Sequence, residues 1–274
     1  MKTPSKEQSL AAAATVAIGL MLTGLGCRST PDFSDIDAAQ LPVPIYVCPR
    51  TKQPPVIDGD IDDPVWESVT PMGDFTCFGN RKGRPALRTT TRMCWDDQNL
   101  YVAFACLDID VWSQCTARDA TLLEEEAVEI NVDTGGDGKL YRTIQINPRN
   151  AVTDLSTTAS CDDNTTQISR EENAEWNAAN LRSAVAIKGT LTDRTDRDLG
   201  WTVEMAIPLA NFADSAVVPP RPGDRWRMQF MRIDRSPALG APELSAWSPT
   251  DTHDNTDRFG TVVFGWFPET PHKK

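Results

Sequence analysis

Apolar and polar residues alternate along much of this chain over short stretches, each bounded by turn-forming residues. Between residues 127 and 133, Val128, Ile130 and Val132 fall on one side of an extended chain, and Glu129, Asn131 and Asp133 on the other. That alternation predicts a strand with one face in a core. It recurs at 181–188 and at 201–207, where Trp201, Val203, Met205 and Ile207 share a face. Residues 88–95 and 100–107 flank the turn cluster Asp96-Asp97-Gln98-Asn99 and predict a hairpin. Gly135-Gly136-Asp137-Gly138 turns the chain between 127–133 and a returning strand at 140–147, and residues 225–234 and 261–266 supply the last strands. Pro208-Leu-Ala-Asn-Phe212 has room for a single helical turn, and long helical periodicity is absent. Many short strands separated by turns predict an all-β fold: an antiparallel β-sandwich, two sheets of jelly-roll or immunoglobulin-like architecture, with short helical turns.

One segment departs from the alternation. In Pro55-Val-Ile-Asp-Gly-Asp-Ile-Asp-Asp-Pro-Val-Trp66, Ile57 ends an extended run and Asp58-Gly59 makes a turn, since glycine tolerates positive φ. Asp63 then stands as N-cap with Pro64 at the first helical position, and Val65, Trp66 and Val69 give the short helix an apolar face.

Composition narrows the function classes. The 274 residues are 40% apolar, enough for a real core, with a net charge of −12. No long basic run exists, so a nucleic-acid partner is not expected. Residues 1–26 read as a signal peptide, with Lys2 and Lys6 ahead of the uncharged, Ala-rich stretch 10–22. Leu22-Thr-Gly-Leu-Gly-Cys27 looks like a bacterial lipobox, which makes Cys27 the lipidated residue and the membrane a partner through a lipid anchor; Arg28 after it favours the outer membrane. Residues 27–44 then form the lipid anchor and flexible tether, 45–267 the sandwich, and 268–274 a tail. Six further cysteines, Cys48, Cys77, Cys94, Cys106, Cys115 and Cys161, suggest disulfides in an exported chain, or small buried hydrophobes on strands.

The words along the chain carry a resemblance. "I-D-G-x-x-D-x-x-x-W" at 57–66, "W-D-D-x-N-L-Y-V-A" at 95–103, "V-E-I-x-V-D" at 128–133 and "G-W-T-V-E-M-A-I-P" at 200–208 resemble, in that order, family 9 carbohydrate-binding modules and their DOMON-like relatives. "P-G-D-x-W-R-M-Q", "W-S-P" and "R-F-G-x-V-x-F" continue the match, so that it spans about residues 45–267. It implies non-catalytic carbohydrate binding at the cell surface or in the periplasm, accessory to polysaccharide breakdown by glycoside hydrolases, with a polysaccharide or oligosaccharide as partner. Two alternatives follow from the same resemblance: a scaffold lipoprotein whose sugar site has degenerated, and a haem-binding redox domain of the DOMON type using His253 and a methionine.

By position, the resemblance assigns Glu129 and Gln145 to the sugar site. Gln229 and Arg232 are weaker candidates on a later strand, Arg232 being equally suited to an internal carboxylate pair. The polar loop after Trp247 places His253 where sugar-binding members carry one aromatic platform, Leu123 or a neighbour stands at the other, and Trp112 is a substitute. Amides and carboxylates bond sugar hydroxyls, and ring faces stack on the sugar's C–H face. The resemblance also admits a structural calcium, with Asp133 and Asp137 as candidate ligands and a glycine-rich hairpin as the plainer reading; no other cofactor is expected. Catalysis finds no motif: His253 and His272 are the only histidines, and no carboxylate pair stands out among the acidic residues.

Overall fold

The structure, a computed structural model, describes residues 41–161, 168–236 and 239–267. The signal peptide, Cys27, most of the tether and the 268–274 tail lie outside the described residues.

Two sheets pack face to face. The smaller holds β3 (Thr89–Trp95), β4 (Asn99–Leu107), β10 (Gly200–Pro208) and β9 (Arg182–Lys188), side by side in that order and antiparallel. The larger runs β1 (Ile45–Cys48), β13 (Gly260–Phe264), β11 (Arg225–Asp234), β5 (Ala127–Asp133), β6 (Leu140–Ile146), β7 (Val152–Cys161) and β8 (Ile168–Asn173). The far half of β11 also pairs with β12 (Glu243–Ala246), which pairs in turn with β2 (Thr76–Phe78). The expected two-sheet sandwich with short helical turns is therefore present, with one difference: β1 joins β13 in parallel.

Alternation decides which side chains make the core. Val128, Ile130, Val132, Ile144, Met228 and Phe230 from the large sheet meet Val102, Phe104, Trp201, Val203, Met205 and Ile207 from the small one. Each such side chain withdrawn from water contributes about 1.5–3 kcal/mol. Four strands escape the sequence pattern. β2 and β12 are only 3 and 4 residues long. β7 is rich in Ser and Thr, and every residue of β8 is exposed, so neither carries an apolar stripe.

The short helix α1 (Pro64–Ser68) lies on the outer face of the small sheet, where Trp66 and Val69 pack on Cys94, Tyr101, Ala103 and Ala206. Asp63 precedes it with extended backbone but makes no side-chain cap bond; its carboxylate accepts the Val56 N–H instead, at 2.8 Å. The preceding turn is held by Glu204 of β10. Its carboxylate accepts Trp66 Nε1 at 2.6 Å, Gly59 N at 3.0 Å and Asp58 N at 3.1 Å. Gly59 has φ +97°, and a Cβ there would lie 2.7 Å from the Val185 carbonyl carbon, so close approach of two backbones demands glycine.

Among the described side chains the expected disulfides are not formed and the alternative, small buried hydrophobes, holds; the Cys161 side chain lies outside the described residues. Cys48, Cys77, Cys94, Cys106 and Cys115 are free thiols, the first four buried on strands as small apolar fillers. Burial pushes the Cys77 thiol up to about 12.

Candidate functional site

The outer face of the large sheet carries a groove of about 380 Å³ over β5, β6, β7 and β8. Its floor comes from same-face positions of neighbouring strands. Glu129 pairs directly with Gln145, and Asn131 with Thr143; Thr153 and Leu155 continue the row on β7. One wall is the end of the loop before β5, including Leu122 and Leu123; across the groove stand Arg170 and Glu172 of β8 with His253 and Asp254 of the 248–258 loop.

Glu129 organises this floor from beneath. It is 1% exposed and does not itself line the groove. Gln145 Nε2 donates to its Oε2 at 2.8 Å, Asn131 Nδ2 donates to its Oε1, and His253 Nε2 lies 2.8 Å from Oε2. Thr143 Oγ1 then donates to Asn131 Oδ1 at 2.6 Å. Burial alone would push the Glu129 carboxyl up, but the neighbouring His253 charge and these hydrogen bonds hold it below its ordinary value. His253 moves the other way: the Glu129 carboxylate raises it against the opposing effect of burial. The two form an ion pair under the groove, with the imidazole partly open to solvent.

The loop bearing His253 is gripped at both ends. Gln229 Nε2 donates to Ser248 O at 2.8 Å, and Ser248 N donates to Gln229 Oε1 at 2.9 Å. Ser248 Oγ donates to Arg258 O, and Arg227 Nε donates to Phe259 O at 2.7 Å. Arg170 Nη2 donates to Asp254 O at 3.0 Å while Nη1 lies 3.1 Å from its carboxylate, bracing the loop against β8. The opposite wall is fixed by Glu125, whose carboxylate accepts Ser113 Oγ, the Gln114 and Cys115 N–H groups and Asn147 Nδ2 at 2.7–3.0 Å.

The structure thus gathers Glu129, Gln145 and His253, and separates the other candidates from the groove. Gln229 shares the groove-side face of its strand, but it is fully buried and committed to Ser248. Arg232, an odd number of positions further along, faces the space between the sheets. Its Nη2 lies 2.7 Å from Asp108 and 3.1 Å from Asp234, and Nη1 donates to Leu107 O at 2.6 Å, which is the internal carboxylate pair of the second reading. Glu126 lies beside them, pushed up to about 10 by burial and by Asp108. Trp112 is also outside the groove, with the Arg194 guanidinium 5.0 Å above its ring. Asp133 caps its own hairpin, accepting Gly136 N at 2.7 Å and Gly138 N at 2.8 Å, and Asp137 accepts Lys139 N at 3.0 Å. Among the described residues, the carboxylates that converge at metal-ligand spacing are Asp108, Glu126 and Asp234, where Arg232 already supplies a cation. His253 Nε2 is engaged by Glu129, which argues against an axial haem ligand there.

Sequence reasoning missed Asn131, Thr143, Arg170 and Glu172. Asn131 and Thr143 were findable, since each lies two positions from a named candidate on the same strand face. Arg170 and Glu172 were not, because their strand has no apolar alternation.

A family model described as "Carbohydrate family 9 binding domain-like" matches residues 57–265. Endo-1,4-beta-xylanase A of Thermoanaerobacterium saccharolyticum is 33% identical over 116 residues, 41% of this chain and 9% of that protein. Exoglucanase XynX of Acetivibrio thermocellus is 31% identical over 127 residues, 46% of this chain and 11% of its own. The chain therefore spans about a tenth of the length of these curated relatives. Among solved structures, a carbohydrate binding module family 9 from Caldicellulosiruptor kristjanssonii in complex with cellotriose superposes with a TM-score of 0.55 at 16% identity, over 84% of this chain and 97% of that one. The same organism's module in complex with glucose gives 0.56 at 17% identity, over 83% and 100%. At such identities the likeness is one of fold.

Proposed function

The chain belongs to the carbohydrate family 9 binding domain-like family, and on that premise we propose that it is a non-catalytic domain binding a neutral glycan in the groove over β5–β8. Asn131, Thr143 and Gln145 bond the sugar hydroxyls, and the Leu123 side chain and His253 ring flank the C–H face of the pyranose. The observation that carries this reading is the arrangement around Glu129: one buried carboxylate aligns two amides and an imidazole beside an open groove. Relatives named as a xylanase and an exoglucanase, and solved modules holding cellotriose and glucose, support a plant-type β-linked glycan and a role accessory to glycoside hydrolases. Export and lipid anchoring at Cys27 suit that role, keeping bound glycan near the cell.

Calorimetric titration with cello- and xylo-oligosaccharides tests the proposal. The expected result is binding that Gln145→Ala weakens about tenfold, on the order of 1.4 kcal/mol, while the variant stays folded at a lowered melting temperature, since Glu129 loses one donor. A folded protein that takes up neither series sinks it. That outcome favours the scaffold reading, which has one feature on its side: a leucine and an imidazole line the walls in place of two broad aromatic faces.

A further inference from the structure

The chain carries a net charge of −12, yet the loop joining β2 to β3 holds Arg81, Lys82, Arg84 and Arg88 within eight positions. The loop is not loose. Buried Glu243 accepts the Ala86 N–H at 2.9 Å and pairs with Arg81 at 2.5 Å, and Cys77 N donates to Gly83 O at 2.8 Å. Those contacts use one of the four cations and leave the others facing outward. Lys82 and Arg84 are exposed and have no carboxylate partner among the described residues. Arg88, its side chain 65% exposed, lies 3.5 Å from Asp74, a distance at which an exposed pair adds little. Arg84 and Arg88 line one open pocket of about 190 Å³ together with Phe75, Thr89 and the single carboxylate of Asp74, so two guanidinium groups there face one acid.

The groove over β5–β8 has the opposite character. Asp119, Glu172 and Asp254 line it against Arg170, while His253 is already neutralised by Glu129. An anionic substituent is repelled there and attracted to the loop.

We propose that the Arg84–Arg88 pocket is a second binding site, which takes the sulfate or carboxylate group of an acidic polysaccharide. Two guanidinium forks at one pocket suit a planar or tetrahedral oxyanion, since each presents paired N–H donors. The pocket admits one such group rather than a whole polymer chain, so the rest of the glycan lies across the surface.

The test uses the full chain and four probes: dextran sulfate, polygalacturonate, uncharged dextran, and phosphatidylglycerol vesicles. Binding is measured at low and at physiological salt. Expected is retention by at least one acidic polymer but not by dextran, weakened by salt. Arg84→Ala with Arg88→Ala should lower the affinity about tenfold or more. Arg84→Ala alone, at an exposed position with no structural partner, should give part of that loss. Lys188→Ala, an exposed cation on β9, should change nothing. The proposal is overturned if neither acidic polymer binds, if the double variant binds like wild type, if Lys188→Ala weakens binding equally, or if only the vesicles bind. Binding of neutral oligosaccharides in the groove is measured on the same double variant and is expected to persist, so the two sites succeed or fail separately.

Discussion

At the residue scale, Glu129 shows how a buried charge can be kept and used. A carboxylate out of water is costly unless it is paired and hydrogen-bonded. Here Gln145, Asn131 and His253 meet that need and are themselves aligned by doing so. The pairing has a pH signature. Glu129 is held below its ordinary 4.5, so its contribution is present above pH 4.5 and lost as pH falls through its lowered value. His253 is raised above 6.5, so its contribution is present below pH 6.5 and lost as pH rises through its raised value. Both groups are charged in the window between, and stability and glycan affinity should be greatest there. Melting temperatures measured across mildly acid to alkaline pH, with His253→Asn as reference, check this: the variant should lose the alkaline limb of the dependence. This part of the site was legible, because antiparallel pairing of strands on either side of a short hairpin puts Glu129 opposite Gln145. Arg232 was misassigned for an equally simple reason. It stands three positions from Gln229, and in a regular strand an odd spacing sends two side chains to opposite faces.

At the element scale, the 57–66 segment is a structural device. Glu204 accepts three donors from it, and α1 seals the outer face of the small sheet with Trp66. Gly59→Ala should therefore destabilise the fold by at least about 2 kcal/mol, because positive φ and a backbone collision act together. Urea unfolding gives the value, and the groove residues should keep their amide protection below the transition. Glu204→Leu should cost a comparable amount, on the order of 2–3 kcal/mol, by leaving the Trp66, Asp58 and Gly59 N–H groups without their acceptor. The turn and the helix were readable from their own residues. The partner on β10 was not, since 145 residues separate Gly59 from Glu204. The β7–β8 hairpin was illegible for another reason: a strand pair standing largely in solvent carries no apolar stripe to betray it.

At the scale of the whole molecule, the two sheets are held by a core of interleaved aromatic and branched side chains and, at one end, by Arg232. That guanidinium reaches from β11 to Asp108 and to the Leu107 carbonyl of the small sheet. Arg232→Ala leaves Asp108 and Asp234 buried without a counter-charge, and the expected loss is on the order of 3–5 kcal/mol, measured by denaturant unfolding near neutral pH. Part of it should return in mild acid, where the stranded carboxylates take up protons. Near Arg232, Glu126 is pushed up to about 10 and so remains protonated across the physiological range, which keeps the cluster from accumulating a third negative charge. Charge is also sorted over the surface, with basic residues on the β2–β3 loop and acidic ones around the groove.

The order of residues was by itself enough to set the strand alternation, the turns, the short helix after Asp63 and hence a sandwich with Glu129 and Gln145 side by side, because each of these depends on neighbours in the chain or across a short hairpin. Tertiary structure alone decided the rest. It put Gln229 beneath the 248–258 loop, turned Arg232 inward to balance distant carboxylates, extended the groove over two polar strands, and brought His253 to Glu129 across 124 positions. These outcomes depend on which surfaces meet when two sheets close on each other, and local alternation contains no record of that meeting.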